Sequence, residues 1–251
     1  MRMGKARSAP RRWALGLGAA AMTATVLSAG LAAVASAAPA KTSAAAYTPA
    51  TRTLRPGMRG ADVRRLQRRL AQLAYYPGAI DGHYGSATEE AIWAFEEVQG
   101  MAASGTVTVK VERALVRPKY PVPLVRHGAA LRVEISLGRH VLYVYHNHKI
   151  VLISHISSGG GYYYCSSGCS YAITPTGNFR TTWRVKGWHT SPLGQMYNPV
   201  FFYSGFAIHG DTYVPVQPVS HGCVRVPMDV ANIFPGLVPK SGIPVYVRAR
   251  G

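Results

Sequence analysis

Acidic residues are scarce in this chain: ten Asp and Glu stand against 28 Lys and Arg, a formal net charge of +18 over 251 residues. Such a balance draws a protein toward polyanions. Cysteine is scarcer still, with Cys165, Cys169 and Cys223 the whole complement. Three thiols cannot all pair. In an exported protein the odd one is either a mispaired liability or a working nucleophile. No cysteine follows the apolar run near the N-terminus, which argues against a lipoprotein anchor.

That N-terminus reads as an export signal. Arg2, Lys5, Arg7, Arg11 and Arg12 come first, an alanine-rich apolar run extends from Trp13 to about Val34, and Ala35-Ser36-Ala37 follows. Basic, then apolar, then A-x-A is the order of a cleaved signal peptide, expected over residues 1–37. A retained membrane anchor is the alternative, because the run approaches spanning length. The residues around Arg11-Arg12 fit the twin-arginine route poorly. Removing these five basic residues leaves 23 against ten acids, a net charge near +13. An exported chain of that charge is expected to meet an anionic cell wall or membrane surface and not nucleic acid, with solubility alone as the bland reading.

Residues 38–53 are rich in Ala, Thr and Ser without an apolar period and read as a flexible leader. Between Ala61 and Leu73, the residues Val63, Leu66, Leu70 and Leu73 recur at helical spacing, opposite an arginine-rich face. Asp81-Gly82 marks a turn. Ser86 and Glu89 have capping-box spacing ahead of a stripe formed by Ile92, Phe95 and Val98, and Gly100 ends that helix. A short third helix is expected over residues 108–115, making a small three-helix bundle. The stretches LRPGMRGADVRRLQRRL and IDGHYGSATEEAIWAFEEVQGM resemble the type-1 peptidoglycan-binding family, with its G-x-x-G-x-x-V-x-x-L-Q, D-G-x-x-G-x-x-T and A-x-x-x-F-Q pattern. The resemblance covers residues 54–116 and implies wall binding. It departs at Glu96, where Gln is usual, and at Ala103-Ser104-Gly105, where Asp-Gly is common.

RPKYPVP, residues 117–123, holds three prolines and reads as a semi-rigid spacer within a linker spanning 117–129. Beyond it the period changes to two: Leu131, Val133, Ile135 and Leu137 alternate with Arg132, Glu134 and Ser136. VLYVY, KIVLISHI, FRTTWRV, PVFFY, FAIHG and IPVYVRA continue as short strands. The fold class expected is therefore a mostly β domain over 130–250, preceded by a small all-α domain.

A cysteine attacks acyl groups as the thiolate, which an adjacent imidazole helps to form. Two histidines are near Cys223 in sequence, His209 in IHG and His221 in SHGC. Gly222, just before the sulfur, permits a sharp turn and leaves backbone N–H groups free to face a developing oxyanion. IHGDTYVPVQPVSHGCVRVP together with TPTGNF resembles the L,D-transpeptidase family and its YkuD-type domain. That resemblance implies a β-sandwich, no metal or other cofactor, and a cysteine acylated by a peptidoglycan stem peptide. It makes Cys223 the nucleophile and His209 the general base and acid, with the Gly210 carbonyl orienting the imidazole. Ser220, His221 and Gly222 would shape the pocket, the Gly222 and Cys223 N–H groups would be oxyanion donors, and Arg225 would hold a substrate carboxylate. Ten residues separate His209 from Ser220, a short insert for the family.

In an oxidising compartment Cys165 and Cys169, four apart across Ser-Ser-Gly, are expected to close a small disulfide loop, with metal binding the alternative. Tyr162, Tyr163 and Tyr164 line a substrate path or pack in the sandwich. His146-Asn147-His148 reads as a hairpin tip. A zinc site formed by His209, Asp211, His221 and Cys223 defines a rival peptidase class, and a catalytically idle wall anchor a second rival. The expectation as a whole is a monomeric, exported wall enzyme. It takes a stem tetrapeptide as donor and a stem amine as acceptor, forming 3→3 cross-links, or acts as a carboxypeptidase where water replaces the amine.

Overall fold

Residues 47–166 and 168–250 are described by the computed structural model. The expected signal segment and most of the leader lie outside these residues. No helix among the described residues is long and apolar enough to cross a membrane.

Three helices come first: α1 (Ala61–Gln72), α2 (Ser86–Gln99) and α3 (Val109–Val116). The apolar stripe read from the sequence becomes the buried face of α1, through Val63, Leu66 and Leu70. Gly100 adopts the left-handed conformation that ends α2. The capping box does not form: Gly85 occupies the N-cap, Ser86 is already helical, and no side chain caps the end. One buried glutamine organises the turn between α1 and α2. Gln67 Nε2 donates to Asp81 Oδ1, the His83 carbonyl and Thr88 Oγ1, while its oxygen accepts the Gly82 N–H at 2.8 Å.

The two departures in this half of the chain belong together. Buried Glu96 accepts from the Ser104 N–H and hydroxyl, both at 2.7 Å, and from the Gly105 N–H at 3.0 Å. A carboxylate with three donors replaces the usual amide because residues 104–105 supply them. The end of the leader is also held: Tyr47 donates to Glu112 at 2.7 Å and Arg52 to Asp62 at 2.7 Å. Order therefore begins before Leu54.

A five-stranded sheet follows, in the order β3-β2-β1-β11-β6. Its strands are β1 (Arg132–Ser136), β2 (Val141–His146), β3 (Lys149–His155), β6 (Gly177–Arg180) and β11 (Pro244–Arg248). A second sheet, β10-β9-β8-β7, is built from β7 (Trp188–Ser191), β8 (Gly194–Tyr203), β9 (Phe206–Gly210) and β10 (Val224–Val226). A two-stranded hairpin joins β4 (Tyr163–Cys165) to β5 (Cys169–Tyr171). Asn147 and His148 turn the β2–β3 hairpin with positive φ.

The first sheet is covered on both faces. Val133, Ile135, Leu142, Val144 and Leu152 join the sandwich core with Val200, Ile208 and Val224. Val141, Tyr143, Tyr145 and Ile153 point the other way, into the helical core around Leu70, Ile92 and Phe95. The helices are thus a third layer laid on the sheet, and the Ile153 N–H donates to the Ala74 carbonyl at 2.7 Å. The bundle expected from the sequence thus packs directly on the sheet. Lys119 and Gln99 exchange backbone and amide hydrogen bonds, so the proline-rich segment is fastened to α2.

The double cover also explains why the alternation in β1 does not mean a wet face. All five residues of β1 are buried. Arg132 and Glu134 pair at 2.7 Å, with the guanidinium 3.6 Å from the Tyr145 ring centroid. FRTTWRV does not form one strand: β6 ends at Arg180, and Arg184 makes only an isolated bridge to Val200. One helix escapes the sequence reading, α4 (Met228–Leu237), which buries Val230, Ala231 and Phe234. Pro235 and Gly236, ordinarily breakers, lie within its last turn and disguise it.

Candidate active site

β9 and β10 run parallel and adjacent, with His209 opposite Arg225 and Ile208 opposite Val224. Side chains alternate along each strand, so Ile208, Val224 and Val226 enter the sandwich core. Ala207, His209 and Arg225 therefore face the other way, and Cys223 packs on that side with Ala207, Met196 and Phe201. His209, Cys223, Arg225, Asp211, Ser220 and His221 all line one pocket of about 650 Å³.

The imidazole is oriented by its own neighbour. His209 Nδ1 lies 2.9 Å from the Gly210 carbonyl oxygen. A carbonyl only accepts, so Nδ1 carries the proton and Nε2 keeps its lone pair. Burial pushes His209 below its ordinary value, and the Gly210 bond offsets part of that. Burial likewise pushes the Cys223 thiol up, against smaller pulls from the Ala207 backbone and Arg225. Both shifts favour the uncharged forms, a thiol and a neutral imidazole lining the same pocket.

A short turn sets the sulfur. The Ser220 hydroxyl donates to the Cys223 carbonyl at 2.5 Å and accepts the Gly222 N–H at 3.0 Å. The Gly222 N–H is thus committed to Ser220, and of the two oxyanion donors expected from sequence the Cys223 N–H is the one left. Gly222 has φ +137, and a Cβ there would lie 2.5 Å from the Phe206 ring and 2.7 Å from the Ile173 carbonyl oxygen. No other residue fits. Thr174, in the TPTG stretch but given no role by sequence reasoning, donates to the Gly222 carbonyl at 2.7 Å and accepts the Gly159 N–H at 2.9 Å.

The remaining residues form the walls. His221 is gripped edge-on by Tyr164 and Tyr162, with ring centroids 4.7 and 5.7 Å away. Both tyrosines precede or belong to the β4–β5 hairpin, where Cys165 and Cys169 are joined at 2.06 Å, leaving Cys223 free. Tyr163 lies mostly in solvent, packed on Tyr171. Arg225 Nε meets Asp211 Oδ2 at 3.2 Å, and its Nη1 reaches the Tyr213 carbonyl at 3.3 Å. Asp211 Oδ1 accepts the Tyr213 N–H. Among the described residues no three His, Cys, Asp or Glu side chains are grouped as metal ligands, so the four-residue chelate weighed from sequence is not assembled.

Residues 130–247 match the L,D-transpeptidase catalytic domain family, and residues 59–115 match a peptidoglycan-binding domain family. An L,D-transpeptidase structure from Xylanimonas cellulosilytica is 35% identical, aligns over 80% of this chain and all of that one, and has a TM-score of 0.74. The chain belongs to the L,D-transpeptidase family. A curated protein from Mycobacterium tuberculosis, the N-acetylmuramoyl-L-alanine amidase CwlM, is 39% identical over 56 residues. That likeness spans 22% of this chain and only 14% of the amidase. The chain is thus an L,D-transpeptidase enzyme with a peptidoglycan-binding module ahead of the catalytic domain, and the cluster around Cys223 falls within the matched catalytic segment.

Proposed function

We propose that this protein cross-links peptidoglycan through a thioester at Cys223, and that it does so outside the cytoplasm as a monomer. The observation that carries the reading is that the one unbonded cysteine and a histidine whose Nδ1 is engaged by the Gly210 carbonyl, leaving Nε2 to accept, line one pocket. The donor is a stem tetrapeptide. The sulfur attacks the carbonyl of the third residue, a diamino acid, as the thiol proton passes to His209 Nε2. The Cys223 N–H faces the oxyanion. As the C–N bond to the fourth residue breaks, His209 returns the proton to the departing amine, and D-alanine leaves. The side-chain amine of a second stem then attacks the thioester. Its proton goes to His209, the C–S bond breaks, and the thiolate regains the proton. The product is a 3→3 cross-link, and water in place of the amine gives carboxypeptidase action. Arg225, fixed by Asp211, presents Nη2 to a substrate carboxylate. The helical module and the positive charge hold the enzyme on the wall.

The test is incubation of the protein with purified sacculi, then digestion and mass analysis for 3→3 dimers and freed D-alanine, beside intact mass after exposure to the carbapenem imipenem. One adduct at Cys223, absent in Cys223→Ala, and release of D-alanine are expected. A chain that binds sacculi but gains no adduct and frees no D-alanine is an idle anchor, and the reading fails.

A further inference from the structure

The helical module reaches the active site through one buried histidine. His155 ends β3, is 1% exposed, and has both ring nitrogens engaged. Nδ1 lies 2.9 and 3.1 Å from the two carboxyl oxygens of Glu97, on α2. Nε2 lies 3.1 Å from the carbonyl oxygen of Pro215. Pro215 belongs to the stretch 211–219, which leaves the base His209 and returns to the nucleophile turn at Ser220.

The Pro215 carbonyl can only accept, so Nε2 must carry a proton. Without a partner at Nδ1 the ring is free to turn about its side-chain bonds and leave that carbonyl. Glu97 removes that freedom. Its two carboxyl oxygens hold Nδ1 at 2.9 and 3.1 Å and so fix the ring with Nε2 turned to the Pro215 carbonyl. Trp93 of α2 seals the pair, its ring centroid 5.4 Å from that of His155.

The residues after His155 continue the clamp. Ser157 Oγ donates to the Gln217 carbonyl at 2.8 Å and accepts the Val219 N–H at 3.2 Å. The Ser220 N–H donates to the Ser158 carbonyl at 2.9 Å, and the Gly160 N–H to the Ser220 carbonyl at 3.0 Å. The same segment bonds β10, with Ser157 and Arg225 exchanging backbone bonds at 3.1 and 2.9 Å. The whole return limb of the loop, from Pro215 to Ser220, thus hangs on residues 155–160, and its first anchor is set by a side chain from the helical module.

We propose that Glu97 is a positioning residue for acyl transfer: through His155 and Pro215 it holds the loop that closes between the base and the nucleophile. The peptidoglycan-binding module is then a structural part of the active site as well as a tether. Displacing the loop misplaces the turn that aims Cys223, and small misplacements of reacting groups are costly in rate.

The proposal rests on acylation at Cys223, and its test reads the second-order rate of imipenem acylation per titratable Cys223. Counting only sites that finally take up an adduct removes any effect of a smaller folded fraction. Glu97→Ala should acylate about tenfold more slowly with full final stoichiometry. Glu97→Gln, whose amide donates to Nδ1 and so keeps the proton on Nε2, should stay within about twofold of wild type. If Glu97→Ala does not fold, Glu97→Asp, shorter by one methylene, should show a fall of about threefold or more. A folded Glu97→Ala or Glu97→Asp with the wild-type rate overturns the proposal, as does Glu97→Gln falling as far as alanine. A wild-type protein that takes no adduct at Cys223 refutes the thioester reading instead, a result read before any Glu97 variant is compared.

Discussion

The Ser220 hydroxyl joins the two sides of the turn that leads to Cys223, donating to the carbonyl of Cys223 at 2.5 Å while it accepts the N–H of Gly222 at 3.0 Å. Thr174 holds the Gly222 carbonyl between them, and the Ser220 hydroxyl is the side chain that ties the start of the turn to the backbone of Cys223 itself.

Ser220→Ala removes both bonds and leaves a buried donor and acceptor unpaired, a loss of about 1–3 kcal/mol in local order. Acylation of Cys223 by imipenem is expected to slow about tenfold or more, while alkylation by iodoacetamide, which needs no oxyanion, changes little. Ser220→Thr, which keeps the hydroxyl, should restore most of the rate. Equal losses in acylation and alkylation would assign Ser220 to folding alone.

The acylation rate should rise with pH on a single acidic limb centred below 6.5, then stay level to beyond pH 9. Burial lowers the His209 pKa from 6.5 and raises that of the Cys223 thiol from 9.0. The base is lost when His209 is protonated, so the rate falls only as pH drops through that depressed value. The thiol stays protonated, and available to general-base catalysis, across the plateau. A limb centred above pH 7 in imipenem kinetics contradicts a His209 lowered by burial.

Glu90 on α2 offers a stability test. Its carboxyl is pushed up to about 7, first by burial, with His155 pulling it down and Asp229 and Glu89 adding to the rise. A carboxyl whose folded value is raised favours the fold when protonated. That contribution is whole below about 4.5 and is lost as pH rises through about 7. Glu90→Gln is therefore expected to melt near wild type at pH 4 and higher than wild type at pH 8, by roughly 2–4 °C for each kcal/mol gained. Thermal unfolding followed by circular dichroism decides it, and a variant less stable at pH 8 than wild type contradicts this account of Glu90.

Some of this protein follows from local sequence. Period-3.6 stripes in α1 and α2 and the breaker Gly100 are properties of short stretches, and short stretches carry them into any fold. The same holds for the Asn147-His148 turn and for Cys165 and Cys169, whose four-residue separation keeps them within reach of each other. Cys223 stood out by arithmetic and His209 by its motif, because thiol and imidazole are reactive groups that few other residues can replace. Local sequence also misled where a neighbour from afar intervened. β1 alternates, yet both its faces are dry, because helices laid on the sheet cover the face that alternation assigns to water. α4 carries Pro235 inside its last turn and reads as a break.

What only the tertiary structure decided is the set of relationships between segments distant in the chain. The resting charge of His209 and Cys223 depends on how deeply the pocket buries them. The Gly222 N–H was assigned from sequence to an oxyanion but goes to Ser220, since a donor takes whichever acceptor the turn brings within reach. The Glu97–His155 pair spans 58 positions and the His155–Pro215 contact 60. No periodicity or motif encodes such contacts, because they arise when separate hydrophobic faces are buried against one another and the polar groups caught between them must find partners.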